Sequence, residues 1–146
     1  MKKIIQTRII LPYIAFAIIW TLIGHFLPLI NLLPTCIVLP IFFYFTDKYF
    51  PNISYSHIIL NYTLILAIYL LFYKFGGGII DDAGRGWIYV SFLASLVTST
   101  SYMIINCIAQ DIIWQEKIKY IGTIVTSAII TFFISHMLLF DTFLFF

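Results

Sequence analysis

Charged residues are scarce in this chain, and their scarcity excludes an ordinary soluble domain. Only 10% of the 146 residues are charged and 62% are hydrophobic, whereas a soluble domain is about a quarter charged and about half apolar. The net charge of +2, spread over scattered lysines, excludes a basic surface for nucleic acid. The excess apolar surface must therefore contact a solvent other than water, and we expect that solvent to be the lipid bilayer.

Cysteines are also few, which excludes a disulfide framework. Cys36 and Cys107 both lie within apolar runs, as is typical of small buried hydrophobic side chains. No spacing of His, Cys, Asp and Glu resembles a set of metal ligands, and chain order gives no reason for a Ser-His-Asp or Cys-His arrangement to assemble. We predict no metal, no cofactor and no enzyme activity.

The first long apolar run, from Ile9 to Thr46, contains no Asp, Glu, Lys or Arg. As one helix it would be roughly 57 Å long, about twice the ~30 Å thickness of the hydrocarbon core, so it must fold back. Gly24, Pro28, Asn31 and Pro34 mark the break, because these residues interrupt helices or favour turns. We expect a first helix over about 9–27 and a second over about 32–45, with a shallow proline-broken hairpin as the alternative for the second.

Three further apolar spans follow, at about 58–73, 87–109 and 120–140. The pattern predicts an all-α integral membrane protein, in which residues 1–146 form one compact bundle of about five transmembrane helices. Positive charge favours the cytoplasmic side of a membrane. That bias predicts a cytoplasmic N-terminus, an external C-terminus and a multi-pass location in a bacterial inner membrane, because six of the eight basic residues then lie inside: Lys2, Lys3, Arg8, Lys48, Lys117 and Lys119.

A glycine-rich stretch, GGGIIDDAGRGW over residues 76–87, separates the third and fourth spans on the predicted outer side. It lacks the closing Gly-Lys-Ser/Thr of a phosphate-binding loop and the Gly-x-Gly-x-x-Gly spacing. Ionisable groups near this side are costly in lipid and are functional candidates. A solvated loop with a local ion pair is the structural alternative. We expect a candidate interaction or ion site formed by Asp81, Asp82, Arg85, Lys74, His25, His136 and Asp141.

Small residues recur at helical spacing in the last two spans, where they let helix backbones approach closely. We predict that spans four and five pack against each other through these faces, with a hydroxyl-lined permeation path as the alternative. The residues are Ala94, Thr98 and Ser101 in span four, and Gly122, Thr126, Thr123, Ser127, Thr131 and Ser135 in span five.

Two classes of function remain. The first is a membrane protein that acts by protein–protein interaction within or at the outer face of the membrane, on another membrane or secreted protein. In general architecture alone, the chain is similar to bacterial immunity proteins that protect a membrane against pore-forming toxins, and no motif carries that likeness. The second is a small proton- or ion-linked channel or transporter that uses His25, His136 and Asp141. Either class is compatible with a homo-oligomer.

Overall fold

Five α-helices make up the chain in the computed structural model, which describes residues 2–50, 54–75 and 82–140. A short π-helical turn, His136–Phe140, follows the fifth helix. The predicted all-α architecture of five helices is therefore confirmed. The helices are α1 (Lys2–Phe26), α2 (Pro28–Tyr49), α3 (Tyr55–Phe75), α4 (Asp82–Ala109) and α5 (Trp114–Ser135).

Four segments of this bundle are long and apolar enough to cross a membrane. They contain between 18 and 25 residues, and about 20 apolar residues suffice for the hydrocarbon core. Three of them agree closely with the spans predicted from the apolar runs, because long runs free of charge leave little choice but a helix. The four segments are Ile9–Phe26, Tyr55–Phe75, Gly86–Ala109 and Trp114–Leu138.

The second helix is longer than predicted, since it extends over Pro28–Tyr49 rather than about 32–45. Leu27 alone separates it from α1, and Pro28 stands at the first helical position, where a missing N–H removes no hydrogen bond. Pro34 and Pro40 lie inside the helix without ending it. The structure thus has one continuous helix of 22 residues, roughly 33 Å long, in place of a helix broken by its prolines.

The core lies between α2, α3 and α4. The most extensive contact joins α2 to α4, while α1 and α5 pack mainly against α3, and α5 also contacts α4. Leu39 and Phe43 of α2 are fully buried, as is Phe92 of α4. The ring of Tyr69 in α3 meets that of Phe92 edge-on, with 5.4 Å between their centroids. α3 is thus packed against α1, α4 and α5, whereas α2 packs against α4 and α1.

The exterior of the bundle is apolar. Only 11% of the apolar segment of α1 and 17% of that of α5 is buried, against 44% for α3. A monomeric soluble protein rarely exposes so much contiguous apolar surface, so this exterior requires lipid or partner proteins. Examples of exposed large apolar residues are Leu11, Ile37, Val97, Ile105 and Phe133.

The small residues of span four lie nearer α2 than the sequence led us to expect. The Thr98 hydroxyl donates to the carbonyl oxygen of Cys36 in α2 at 2.7 Å. Ala94 is half-buried, whereas Ser101 is exposed. Thr98 on this face therefore joins α4 to α2. The same helix also contacts α5.

The small residues of span five divide between the inside and the outside of the bundle. Thr131 and Ser135 are buried, and Thr123 and Ser127 are half-buried. Gly122 and Thr126 are exposed, and a side chain at Gly122 would meet nothing within 4 Å. The Thr123-to-Ser135 face therefore contributes to packing, while the Gly122–Thr126 pair points away from the helices of the same chain.

Candidate functional site

The C-terminal ends of α1 and α3, which the topology prediction places outside, are joined by a histidine that the sequence singles out. Nδ1 of His25 lies 2.6 Å from the carbonyl oxygen of Phe75, the last residue of α3, and the contact is exposed to the exterior. Lys74 is exposed beside it. This contact holds two helix ends side by side where the chain enters the glycine-rich stretch.

The other predicted outer residues are only partly visible. His136 is exposed at the start of the π-helical turn, and its ring centroid lies 6.2 Å from that of Phe132. Asp82 begins α4, but its side chain and that of Arg85 lie outside the described part of the chain, as do Asp81 and Asp141 entirely. The structure brings His25 to the end of α3, and the convergence of the acids stays a prediction.

A half-buried polar cluster lies at the opposite end of the bundle, which the topology prediction assigns to the inside. Asp47 is in the last turn of α2, and its Oδ2 accepts a hydrogen bond from the Tyr102 hydroxyl at 2.8 Å. The same oxygen accepts a second hydrogen bond from Nδ2 of Asn106 at 2.9 Å. Tyr102 and Asn106 are one helical turn apart on α4, so both side chains reach α2 from one face. Asp47, Tyr102 and Asn106 are called the Asp47 cluster.

The charge of Asp47 is held in a half-buried position. Burial raises the pKa of this carboxyl above its ordinary value, and that effect exceeds the lowering by the Tyr102 hydrogen bond, by nearby His57 and by the Asn106 hydrogen bond. Asp47 lies beyond the apolar segment of α2 that the sequence places at about 32–45. The protonation state of the Asp47 carboxyl therefore depends on its burial and on the side chains around it.

His57 stands out because it is buried without hydrogen bonds. It lies in the first turn of α3, is 4% exposed, and neither ring nitrogen has a hydrogen-bond partner among the described residues. The ring of Phe50 packs against the imidazole, with 6.4 Å between the ring centroids. At the start of the helix, the backbone N–H of His57 donates to Ser54. A buried polar group left unpaired costs about 1–3 kcal/mol, so this imidazole requires an explanation.

A second polar layer ties α1 to the cluster. The Tyr13 hydroxyl donates to Oδ1 of Asn61 at 2.5 Å and lies 3.5 Å from the hydroxyl oxygen of Thr46, the neighbour of Asp47. Nδ2 of Asn61 in turn donates to the sulfur of Met103 at 3.3 Å. Side chains from α1, α2, α3 and α4 thus form one connected group.

Polar side chains continue from the cluster along the buried face of α4. The hydroxyl of Tyr69 lies 2.7 Å from the hydroxyl oxygens of both Ser91 and Ser95, and Ser99 is fully buried with no partner for its hydroxyl in the described structure. From Ser91 to Asn106 this row extends roughly 22 Å along the helix. The interior is therefore polar along one line, although the exterior is apolar.

Sequence reasoning missed the Asp47 cluster because it weighed the two polar connections unequally. The glycine-rich stretch attracted attention through its composition, while Asp47 and His57 looked like the flanks of an ordinary polar turn. The sequence did contain a usable signal. Tyr102 and Asn106 lie four residues apart near the C-terminal end of span four, which the topology prediction places on the same side of the membrane as Asp47. Pairing polar residues by predicted depth would have linked them to Asp47.

No known protein family, curated protein or solved structure matches this chain. The chemistry of the site therefore has to come from the side chains themselves. Within the described ranges, no group of three or more His, Cys, Asp and Glu side chains is placed to hold a metal ion. The Asp47 cluster offers one carboxyl, a group that can bind and release a proton.

Replacing Tyr102 by Phe should lower the free energy of unfolding by about 1–3 kcal/mol, because Asp47 loses one of its two donors while it stays partly buried. Denaturant titration of the purified protein in micelles measures this change. Tyr49→Phe is the matched control, since Tyr49 is 75% exposed, and it should change little. Equal stability of the two variants would show that the Tyr102 hydrogen bond carries no net energy.

Proposed function

We propose that this chain is a multi-pass protein of a bacterial inner membrane that crosses the bilayer five times, with its N-terminus in the cytoplasm and its C-terminus outside. The apolar exterior and the four helices of membrane-spanning length support a membrane location, and the fifth crossing is assigned to α2, which is 22 residues and roughly 33 Å long. The excess of Lys and Arg on the N-terminal side supports the orientation. On this topology, the Asp47 cluster lies near the cytoplasmic end of the bundle.

We propose further that the protein is a small proton- or ion-linked channel or carrier, and that the Asp47 cluster is its site. The observation that carries this proposal is the half-buried Asp47 carboxyl, held by two donors from a second helix where the polar row of α4 ends. Ionisable groups within membrane bundles are costly and mark ion or proton pathways. The proposed site is therefore at the inner end of the bundle, whereas the sequence alone predicted a site at the outer loop.

The geometry also suggests how a charge could move helices. Hydrogen bonds to an ionised acceptor are roughly twice as strong as neutral ones. Neutralising Asp47 would therefore weaken both of its contacts to α4, Tyr102 and Asn106, at the end of the most extensive helix interface. A ligand shifts a conformational equilibrium only through such a difference between states. The charge of Asp47 would thus control how strongly α2 and α4 are held together at this end.

Flux through proteoliposomes tests this function. The purified protein should conduct protons or small monovalent cations down an imposed gradient, followed with an entrapped pH dye and by ion release. Asp47→Asn should reduce the rate roughly tenfold or more, because it removes the only charge of the cluster. Asp111→Asn is the matched control, since Asp111 is exposed in the α4–α5 connection, and it should conduct normally.

Two outcomes of that experiment would contradict the proposal. One is flux no greater than that of empty liposomes under every gradient. The other is flux that Asp47→Asn and Asp111→Asn leave equally unchanged, because conduction would then not pass through the Asp47 cluster.

The second candidate function is binding of another membrane or secreted protein at the outer face, with toxin immunity or service in a membrane complex as examples. The contact of His25 with the Phe75 carbonyl favours it. By holding the ends of α1 and α3 together, this contact gives the glycine-rich stretch a fixed starting point. A loop that starts from a fixed position loses less conformational freedom on binding a partner.

The combined variant Asp81→Ala/Asp82→Ala/Arg85→Ala tests the second candidate. It should insert in the membrane normally but lose a partner that cross-linking in intact cells recovers with the native chain, because it removes the charges of the outer loop. Asp111→Ala on the predicted inner side is the control and should retain the partner. Unchanged partner recovery and cell phenotype with the triple variant would contradict a binding role for this loop.

A further inference from the structure

The hydroxyl of Ser99 is the one polar group of the row along α4 that lacks a hydrogen-bond partner among the described residues. Ser99 is fully buried, whereas the groups on either side of it, at Ser95 and Tyr102, are bonded to other helices. We propose that Ser99 binds buried water and that this water connects the two bonded parts of the row into one hydroxyl relay, so that the ion handled by the protein is H⁺. This inference rests on the proposed channel or carrier function and names its ion and its path.

The row occupies one side of α4. Its members follow one another at steps of three or four residues, the spacing of neighbours on one helix face, and each step rises about 4.5–6 Å along the axis. That distance is too long for a direct hydrogen bond, but it suits two bonds of about 2.8 Å that meet at one shared oxygen atom. The members are Ser91, Ser95, Ser99, Tyr102 and Asn106.

The first step of the row has such a shared oxygen. The hydroxyl of Tyr69 in α3 lies 2.7 Å from the hydroxyl oxygens of both Ser91 and Ser95, so it connects two groups that are one turn apart. The step from Ser95 to Ser99 has the same length, and the Ser99 hydroxyl is without a partner in the described chain. A water molecule bound there would have the role at this step that the Tyr69 hydroxyl has at the first.

Buried water also removes a cost that the chain otherwise carries. A buried hydroxyl without a partner is destabilising, and buried water typically makes about three hydrogen bonds to such groups. Ser95, Ser99 and, three residues further on, Tyr102 provide hydroxyls that both donate and accept. This face of α4 therefore offers water several partners of the required kind.

A relay of hydroxyls carries protons but no larger ion. Each oxygen accepts a proton from one neighbour and passes its own to the next, so one O–H bond forms for each that breaks. At the inner end, Tyr102 passes its proton to Oδ2 of Asp47, to which it donates at 2.8 Å. The half-buried Asp47 then releases the proton to water at the inner side. The relay covers roughly 22 Å of the ~30 Å hydrocarbon core.

A metal cation does not fit this row. Hard cations take several oxygen ligands at once, six to eight for Ca²⁺. The row offers single hydroxyls one turn apart, and those of Ser91 and Ser95 already contact the Tyr69 hydroxyl. At the inner end, Tyr102 and Asn106 both direct hydrogen atoms at the carboxylate oxygen. These hydrogens occupy the positions that a cation would need.

Unfolding of two serine variants tests for the water without any transport measurement. If the Ser99 hydroxyl holds water, Ser99→Ala loses those hydrogen bonds, and the denaturant concentration at the midpoint of unfolding should fall. If the hydroxyl is merely unpaired, its removal relieves a cost and the midpoint should rise. Ser101→Ala is the matched control, because Ser101 is exposed on the same helix and gains the same helix propensity. A midpoint for Ser99→Ala equal to or above that of the control would overturn the inference.

Proteoliposome flux tests the relay and the ion. The native protein should pass protons, followed with an entrapped pH dye, and neither Na⁺ nor K⁺. Ser99→Ala should reduce proton flux roughly tenfold or more, because the relay loses one of its oxygen atoms, while Ser101→Ala should conduct normally. Tyr69→Phe breaks the first step of the row and should act as Ser99→Ala does.

Two flux results would overturn the relay. One is proton flux that Ser99→Ala or Tyr69→Phe leaves unchanged, and the other is Na⁺ or K⁺ flux equal to that of protons. Absence of all flux in the native protein, with the midpoint of Ser99→Ala below that of its control, would contradict the channel or carrier alone. Failure of the relay and failure of the proposed function are therefore distinguishable.

Discussion

The pair of hydrogen bonds from α4 to Asp47 is the constraint on which the contact between α2 and α4 depends at this end of the bundle. They join α2 to α4 at the end of the most extensive helix interface. α2 carries two internal prolines, each of which removes a helical hydrogen bond, so it relies on packing to stay helical. Its fully buried Leu39 and Phe43 supply that packing, and Asp47 fixes the register of its last turn. The same carboxyl that fixes the structure is also its one candidate for a change of charge at this interface.

An apolar exterior and buried polar side chains are both features that a lipid bilayer would favour. In a bilayer, apolar surface gains little from being buried between helices, so packing and hydrogen bonds between helices must hold a bundle together. The structure agrees with that logic in part: isoleucine and leucine dominate the outside, while the inside combines large apolar side chains with buried serine, threonine and asparagine. Contacts such as Tyr69 with Ser91 and Thr98 with the Cys36 carbonyl repeat the arrangement along α4. The Asp47 cluster is the ionisable end of this polar line.

Sequence patterns predicted most of the fold but little of the site. Long charge-free runs specified the apolar segments of α1, α3 and α4, since such runs admit few structures other than helices. The bounds of α2 were wrong because Pro28, Asn31 and Pro34 were taken as the break between two helices, whereas α2 begins at Pro28 and continues to Tyr49. The meeting of Asp47 with Tyr102 and Asn106 depends on how α2 and α4 are rotated about their axes. The sequence of a single helix does not determine that rotation, so the cluster could be identified only from the packing of the helices.

A double-mutant cycle on Asp47 and Tyr102 tests the central claim most directly, namely that the two side chains interact within one closed cluster. Unfolding free energies of Asp47→Ala, Tyr102→Phe and the double variant give their coupling. A coupling of about 1–2 kcal/mol is expected, in the range measured for residues in one hydrogen-bond network. Additive effects, equal within about 0.5 kcal/mol, would contradict the claim, because α2 and α4 would then be held together without the Asp47 carboxyl.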